Sequence, residues 1–253
     1  MFGFLQLNAT LILVADFDNH CLRFIDWQTE VTWVAIGKCQ SMGYVDGGDG
    51  VATFNRPFSL IWYKDMVSFL VADYGNDAVR LVNIGDTETF QVSTLVSTGL
   101  SGLAGLSYIV SEDILFVSNS HYLLRVKGQE ESILAGSIDY GFAEGSLADA
   151  ALSAPREIIH VTDDVIVAAD QGNGRLAVVN SRMDYLLSVC LYGEDERNGY
   201  PTTCQLYEPV SLFLKDEQLF IGTGYGIKRI AGRRKLHSTP INNYTLGNTN
   251  RKF

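Results

Sequence analysis

The chain has 253 residues, 47% hydrophobic and only 19% charged, which excludes disorder as its main state and is enough for one large all-β domain. Gly is frequent (24) beside 12 Tyr and 13 Phe, a mix that suits strands and tight turns. The net charge of −10 disfavours a nucleic-acid partner, because phosphate binding needs Lys and Arg to displace counterions, and no run of 18 apolar residues exists to span a membrane as a helix.

The apolar start, residues 1–14, lacks the basic flank of a signal peptide and reads as two strands. Between them lies the sequon Asn8-Ala9-Thr10, where a sugar would be exposed; a second sequon begins at Asn243. Next comes LILVADFDNHCLRFID (11–26), then a strand at 31–36. The first pattern returns as FLVADYGNDAVRLVN (69–83) and VIVAADQGNGRLAVVN (165–180), each with Ala-Asp, two residues, then Asn. The repeated residues are Asp16 and Asn19, Asp73 and Asn76, and Asp170 and Asn173. Degenerate copies at 115–126 and 219–230 carry Asn119 and Thr223 at the Asp position, so the marks are spaced 57, 46, 51 and 53 residues apart.

A second pattern precedes the marks. Gly43-Tyr44-Val45-Asp46-Gly47 is echoed by Gly141-Phe142-Ala143-Glu144-Gly145, and Pro57, Pro155 and Pro209 each lie ten residues after Gly47, Gly145 and Gly199. Apolar strands follow the prolines at 58–63, 156–161 and 210–214. Asp and Asn suit the turn after the Ala-Asp strand, since Asx side chains bond the local backbone and Asn tolerates positive φ. Third strands, as at 78–83, and fourth strands at 31–36, 89–95, 132–135 and 186–190 complete four-stranded antiparallel units. Such units, recurring every 45–55 residues, predict the blades of a β-propeller. Val14, Val71, Val117, Val167 and Ile221 lie on equivalent second strands and are expected to be buried.

The blocks A-x-F-N-x-P (Ala52, Phe54, Asn55, Pro57) and V-A-D-x-x-N (Val71, Ala72, Asp73, Asn76) resemble those of NHL-repeat β-propellers. The resemblance spans about residues 1–236, in units of about 1–40, 41–96, 97–136, 137–191 and 192–236, with 237–253 as a C-terminal tail. It implies an all-β NHL-type propeller with five blades in this chain, either a five-bladed ring or an incomplete six-bladed one.

Cys21 begins the third strand of unit one and Cys39 follows its fourth, so the hairpin brings them side by side. Cys190 and Cys204 flank one polar inter-blade loop; two bridges are expected, with four buried thiols as the alternative. No CxxC spacing suggests zinc. Bridges and sequons together favour an extracellular or secretory location.

His20 and His121 occupy matching turns, and His160 and His237 complete the histidines without forming a recognisable metal set. Asp46-Gly-Gly-Asp49-Gly50 lacks the alternating ligands of a calcium loop and reads as a glycine-rich turn. The basic cluster Lys228, Arg229, Arg233, Arg234 and Lys235 reads as a solvated edge. No catalytic motif, metal site or cofactor is identified. The blade-to-blade loops mix aromatics with acids, and their candidate rim is Tyr192, Glu194, Asp195, Glu196 and Tyr200. The leading expectation is a non-catalytic scaffold for a protein or peptide. The alternatives are a metal-dependent propeller lyase or hydrolase, which the resemblance also allows, and an RNA-binding NHL domain, which the acidic charge disfavours.

Overall fold

The computed structural model describes residues 3–85, 89–97, 100–193, 204–216, 218–231 and 245–248. Its described residues form five four-stranded antiparallel sheets, each in simple meander order, the blades of a β-propeller. They contain no α-helix. Blade one comprises β1 (Phe4–Gln6), β2 (Leu11–Asp16), β3 (Cys21–Asp26) and β4 (Val31–Ile36). Blade two has β5 (Pro57–Tyr63), β6 (Asp65–Asp73), β7 (Ala78–Ile84) and β8 (Phe90–Val96). Blade three has β9 (Leu106–Ile109), β10 (Ile114–Asn119), β11 (Tyr122–Lys127) and β12 (Glu130–Gly136). Blade four has β13 (Pro155–Thr162), β14 (Val165–Asp170), β15 (Arg175–Asn180) and β16 (Tyr185–Val189). A short parallel pair, β17 (Leu191–Tyr192) and β18 (Gln205–Leu206), leads to blade five: β19 (Ser211–Lys215), β20 (Gln218–Thr223), β21 (Gly226–Ala231) and β22 (Thr245–Asn248). The last of these falls in the segment assigned above to a tail: Thr245–Asn248 pairs with Lys228–Ala231 and so belongs to the fifth blade.

The chain divides into two compact units, residues 1–115 and 116–253. In the first, Leu5, Leu13, Ala15 and Leu22 of blade one pack with Leu60, Phe69, Val71 and Val82 of blade two. In the second, Val167, Ala169 and Val178 of blade four meet Leu212, Ile221 and Ile230 of blade five. Strand alternation explains both cores: the side chains in step with the repeated Asp point to one blade face, and those out of step to the other. Val14, Val71, Val117, Val167 and Ile221 are all buried, although Val167, three residues before Asp170 where the others lie two before their repeat mark, points to the other face of its blade.

The turn after each repeated Asp is a single 3-10 turn, at Phe17–Asn19, Tyr74–Asn76 and Gln171–Asn173. Here the positive-φ expectation for Asn is corrected. The left-handed residue is the next one, His20 (φ 60°), Asp77 (φ 47°) or Gly174 (φ 60°), and the Asn side chain is engaged elsewhere. Gly75 and Gly172 serve close approach: a Cβ there would lie 2.5 Å from Asn55 Cγ or 2.7 Å from the Ser153 carbonyl oxygen. The residue before each repeat proline is also left-handed, Arg56 (φ 56°), Ala154 (φ 48°) and Glu208 (φ 46°), although a following proline by itself favours extended backbone. The left-handed conformation costs about 1 kcal/mol per residue. It is offset where the Arg56 N–H donates to His20 Nδ1 at 3.1 Å and the Ala154 N–H to the Ser120 carbonyl at 2.8 Å.

Candidate interaction face

The repeated Asp residues build a staple that organises the loop face. Asp73 and Arg80 are both fully buried. Asp73 Oδ1 accepts the Asn55 N–H at 2.7 Å; Oδ2 accepts from Asn76 at 2.7 Å and from Arg80 at 2.7 Å. Asn76 also donates to the Gly43 carbonyl (2.8 Å), which fastens the inter-blade segment to the turn. Arg80 donates further to the carbonyls of Thr53 (3.2 Å) and Val45 (3.0 Å) and to Asp46 (2.6 Å), between the rings of Tyr44 and Phe54. Blade four repeats this. Asp170 accepts from the Ser153 N–H (2.7 Å), Asn173 (2.8 Å) and Arg175 (2.6 Å), while Asn173 donates to the Gly141 carbonyl (2.7 Å). The Arg175 guanidinium lies 4.2 Å from the Phe142 ring centre.

Sequence reasoning missed these arginines. Arg80 pairs in register with Val71, and Arg23 with Val14, two residues before the Asp, whereas Arg175 stands directly opposite Asp170. Ala78 and Ala177 occupy the complementary positions, so both arrangements put one cation on the Asp face. The available signal was strand phase, one Arg in step with each Asp; a fixed spacing hides it.

The staple also sorts the loop residues. Tyr44 and Phe142 lie against buried arginines, and the acids at the matching position tie loop to blade. Asp46 accepts from Arg80 and from the Thr94 N–H (3.0 Å), and Glu144 from the Ser188 N–H (2.7 Å). Burial pushes the Asp46 carboxyl up, but its bonds to Arg80 and Thr94 and the Arg80 charge outweigh that and hold it below its ordinary value. Burial raises Asp73 and Asp170 despite their donors. Asp49 accepts the Phe90 N–H at 3.1 Å, so the glycine-rich loop uses both carboxylates internally.

The outward position lies one residue before the repeat glycine. Met42, Tyr140 and Tyr192 occupy it and are 68%, 76% and 52% exposed. In the second unit the aromatics gather. Tyr207 lies 6.1 Å from Tyr192 and stacks on Tyr225 at 4.8 Å, ring centre to ring centre. Tyr225 is 65% exposed. Glycines seat the ladder: a Cβ on Gly174 would meet Tyr192 at 2.6 Å, and one on Gly224 would meet Tyr207 at 2.9 Å. Tyr140 lies 5.9 Å from the His121 ring at the turn into β11. Of the expected rim, Tyr192 is thus placed, while Glu194, Asp195, Glu196 and Tyr200 lie outside the described residues.

Both disulfides form, Cys21–Cys39 with Cα atoms 5.0 Å apart and Cys190–Cys204 at 4.5 Å. Asn8 is exposed at the β1–β2 turn, its Oδ1 accepting from the N–H groups of Thr10 and Leu11, both at 2.9 Å. Asn243 lies outside the described residues. His20 serves its turn, as noted, and His160 is half-buried in β13. Among the described residues no three His, Cys, Asp or Glu side chains converge as a metal site. Lys228 is buried, which corrects the reading of its cluster as a solvated edge; residues 233–235 lie outside the described ones.

No family model matches the chain, and neither does any curated protein. Solved structures do share its fold. A Bacteroides thetaiotaomicron protein of unknown function matches 91% of the chain with a TM-score of 0.66 at 14% identity. The chain spans 55%, about half, of that protein's length. The nidogen/laminin complex matches 87% of the chain and 71% of its own, with a TM-score of 0.61 at 12% identity. Catalytically inactive virginiamycin B lyase from Staphylococcus aureus matches 99% of the chain and 70% of its own, with a TM-score of 0.60 at 10% identity. These likenesses establish the β-propeller fold.

Proposed function

We propose that this NHL-like propeller is a non-catalytic scaffold that takes a protein or peptide on its blade-to-blade loop face, outside the cytosol. The observation that carries this reading is the tyrosine ladder, exposed Tyr192 and Tyr225 on half-buried Tyr207, with Tyr192 and Tyr207 seated on glycines. Tyrosine offers a large, rigid, amphipathic contact at low entropic cost, and interface hot spots are rich in it. The acidic run Glu194–Glu196 follows Tyr192 after one glycine and favours a partner with Lys or Arg. The two disulfides and the exposed Asn8 sequon favour the secretory pathway.

A peptide-display selection tests this. Wild type should enrich Lys- and Arg-bearing sequences, and a Tyr192→Ser/Tyr225→Ser variant that melts normally should lose them. Equal enrichment on both proteins refutes the ladder as the docking site. Metal analysis of the purified chain distinguishes this reading from a metal-dependent propeller enzyme.

A further inference from the structure

The junction of blades one and two carries side chains that the repeat does not need. The Arg56 N–H, just before Pro57, donates to His20 Nδ1 at 3.1 Å. At the junction of blades three and four the Ser120 carbonyl serves the matching Ala154 N–H at 2.8 Å, so the repeat requires neither an imidazole nor a guanidinium there. Yet Arg56 is exposed, and its guanidinium lies 5.7 Å from the centre of the Phe17 ring. Among the described residues no carboxylate pairs with it, although the chain carries a net charge of −10 and Asp18 stands in the same turn as Phe17. Because His20 Nδ1 accepts a hydrogen bond, the neutral ring holds its proton on Nε2, and that N–H has no acceptor among the described residues. Beside these donors three rings meet. Phe17 lies 6.1 Å from Phe58 and 5.6 Å from Tyr74, and Phe58 lies 6.2 Å from Tyr74. In blade four the positions of Phe58 and Tyr74 hold Arg156 and Gln171, which hydrogen-bond each other at 2.6 Å. The aromatic cluster is thus no more a part of the repeat than the guanidinium above it.

We propose that Arg56 and His20 bind the carboxylate of an organic acid whose aromatic body rests against Phe17 and Tyr74. The ligand's chemistry follows from the donors. A guanidinium stacked by one face keeps the N–H groups at its edge, a fork that matches the two oxygens of a carboxylate. The His20 Nε2–H supplies a further donor. One cation in an acidic chain suits a monoanion, whereas a phosphate dianion calls for more positive charge than these residues hold. Phe58 is buried, so the half-buried rings of Phe17 and Tyr74 are the surface left for a planar, apolar group. The site concerns the first unit and stands independently of the tyrosine ladder: it takes an acid, where the ladder calls for a basic partner.

The test uses the whole chain with phenylacetate as the probe, followed by ligand-observed NMR titration. Saturable binding is expected with a Kd of about 1 mM or tighter, an ordinary affinity for so small a ligand. Phenylacetamide, its neutral counterpart, should bind unaltered protein about tenfold more weakly or worse, a comparison that requires no mutant to fold. Arg56→Gln should weaken phenylacetate binding by a similar factor. Inorganic phosphate should bind about tenfold more weakly than phenylacetate, because it gains nothing from the rings. Absence of saturation up to about 10 mM phenylacetate overturns the proposal. So does equal binding of acid and amide, or an Arg56→Gln chain that melts normally and binds phenylacetate unchanged. Phosphate binding as tight as that of phenylacetate would assign the residues to inorganic anions and overturn it as well.

Discussion

Replacing Arg80 by Met should cost the fold far more than the same change at Arg23. Both arginines occupy one repeat position and bond one repeated aspartate, so the comparison sets a buried, fully bonded pair against a partly open one. Arg80 and Asp73 are both 0% exposed, and Arg80 also bonds two carbonyls and Asp46. Removing it strands a buried carboxylate that keeps only Asn55 and Asn76 as donors, a defect that costs about 3–5 kcal/mol. Asp16 and Arg23 are partly open to water, so their pair is screened and worth about 1 kcal/mol or less. In urea unfolding with an unchanged slope, Arg80→Met should lower the midpoint strongly and Arg23→Met slightly. At about 2–4 °C per kcal/mol for a chain this size, the melting temperatures should fall by roughly 10 °C and by at most a few degrees. Arg80→Lys should lie between, because an ammonium keeps the charge but cannot reproduce the guanidinium fork. The Asp73→Asn/Arg80→Met double variant should cost less than the sum of the singles. Equal losses at Arg80 and Arg23, or a loss under about 1.5 kcal/mol at Arg80, would refute the view that the buried staple stabilises the crossover.

Three other outcomes are expected. Alkylation under denaturing, non-reducing conditions should label no cysteine, and replacing Cys21 and Cys39 by Ala should cost about 3 kcal/mol, the usual scale for closing a loop of this size. Gly75→Ala should destabilise by about 1–3 kcal/mol in thermal melts, since its Cβ would enter the Asn55 side chain, whereas a Cβ on Gly48 makes only ordinary contacts, at 3.5 Å and beyond, and Gly48→Ala should cost less. Burial, only partly opposed by Asp163, holds the His160 imidazole below its ordinary value of 6.5. The unfolded chain therefore takes up that proton first, so stability present above pH 6.5 should decline as pH falls toward the depressed folded value; His160→Gln should flatten that decline in pH-dependent urea titrations.

The blades were legible because their signals are local. Alternating apolar runs, Asx turns and a proline at one repeat position each follow from backbone chemistry within a few residues. The cysteine pairs were legible for a related reason: Cys21 opens β3 and Cys39 follows β4, so hairpin register brings them together. The fourth strand of blade five was missed because 13 residues separate Ala231 from Thr245 and nothing in Thr245–Asn248 marks it as paired. The loop aromatics could not be sorted from sequence. Tyr44 and Tyr192 are both tyrosines in blade-to-blade loops, and only the guanidinium beneath Tyr44 shows that it is structural.

That sorting separates what the loops must keep from what they can vary. Positions equivalent to Gly43, Tyr44 and Asp46 are tied to the blade by hydrogen bonds, by a buried cation or by both, so a change there falls first on stability. The position just before that glycine carries Met42, Tyr140 and Tyr192, side chains of different chemistry that take no part in the staple. A rigid frame with one variable outward residue per crossover is the usual division between scaffold and recognition. Within the second unit Tyr192 joins Tyr207 and Tyr225 in one stack, while Tyr140 packs with His121. Blade five makes the same point from inside the sheet: Thr223 stands where Asp73 and Asp170 stand, and Lys228 where Arg80 stands. The blade keeps its four strands without the carboxylate, and Tyr225 projects from the turn that follows. Where the repeat loses its aspartate the frame persists, and the turn gains an exposed ring instead.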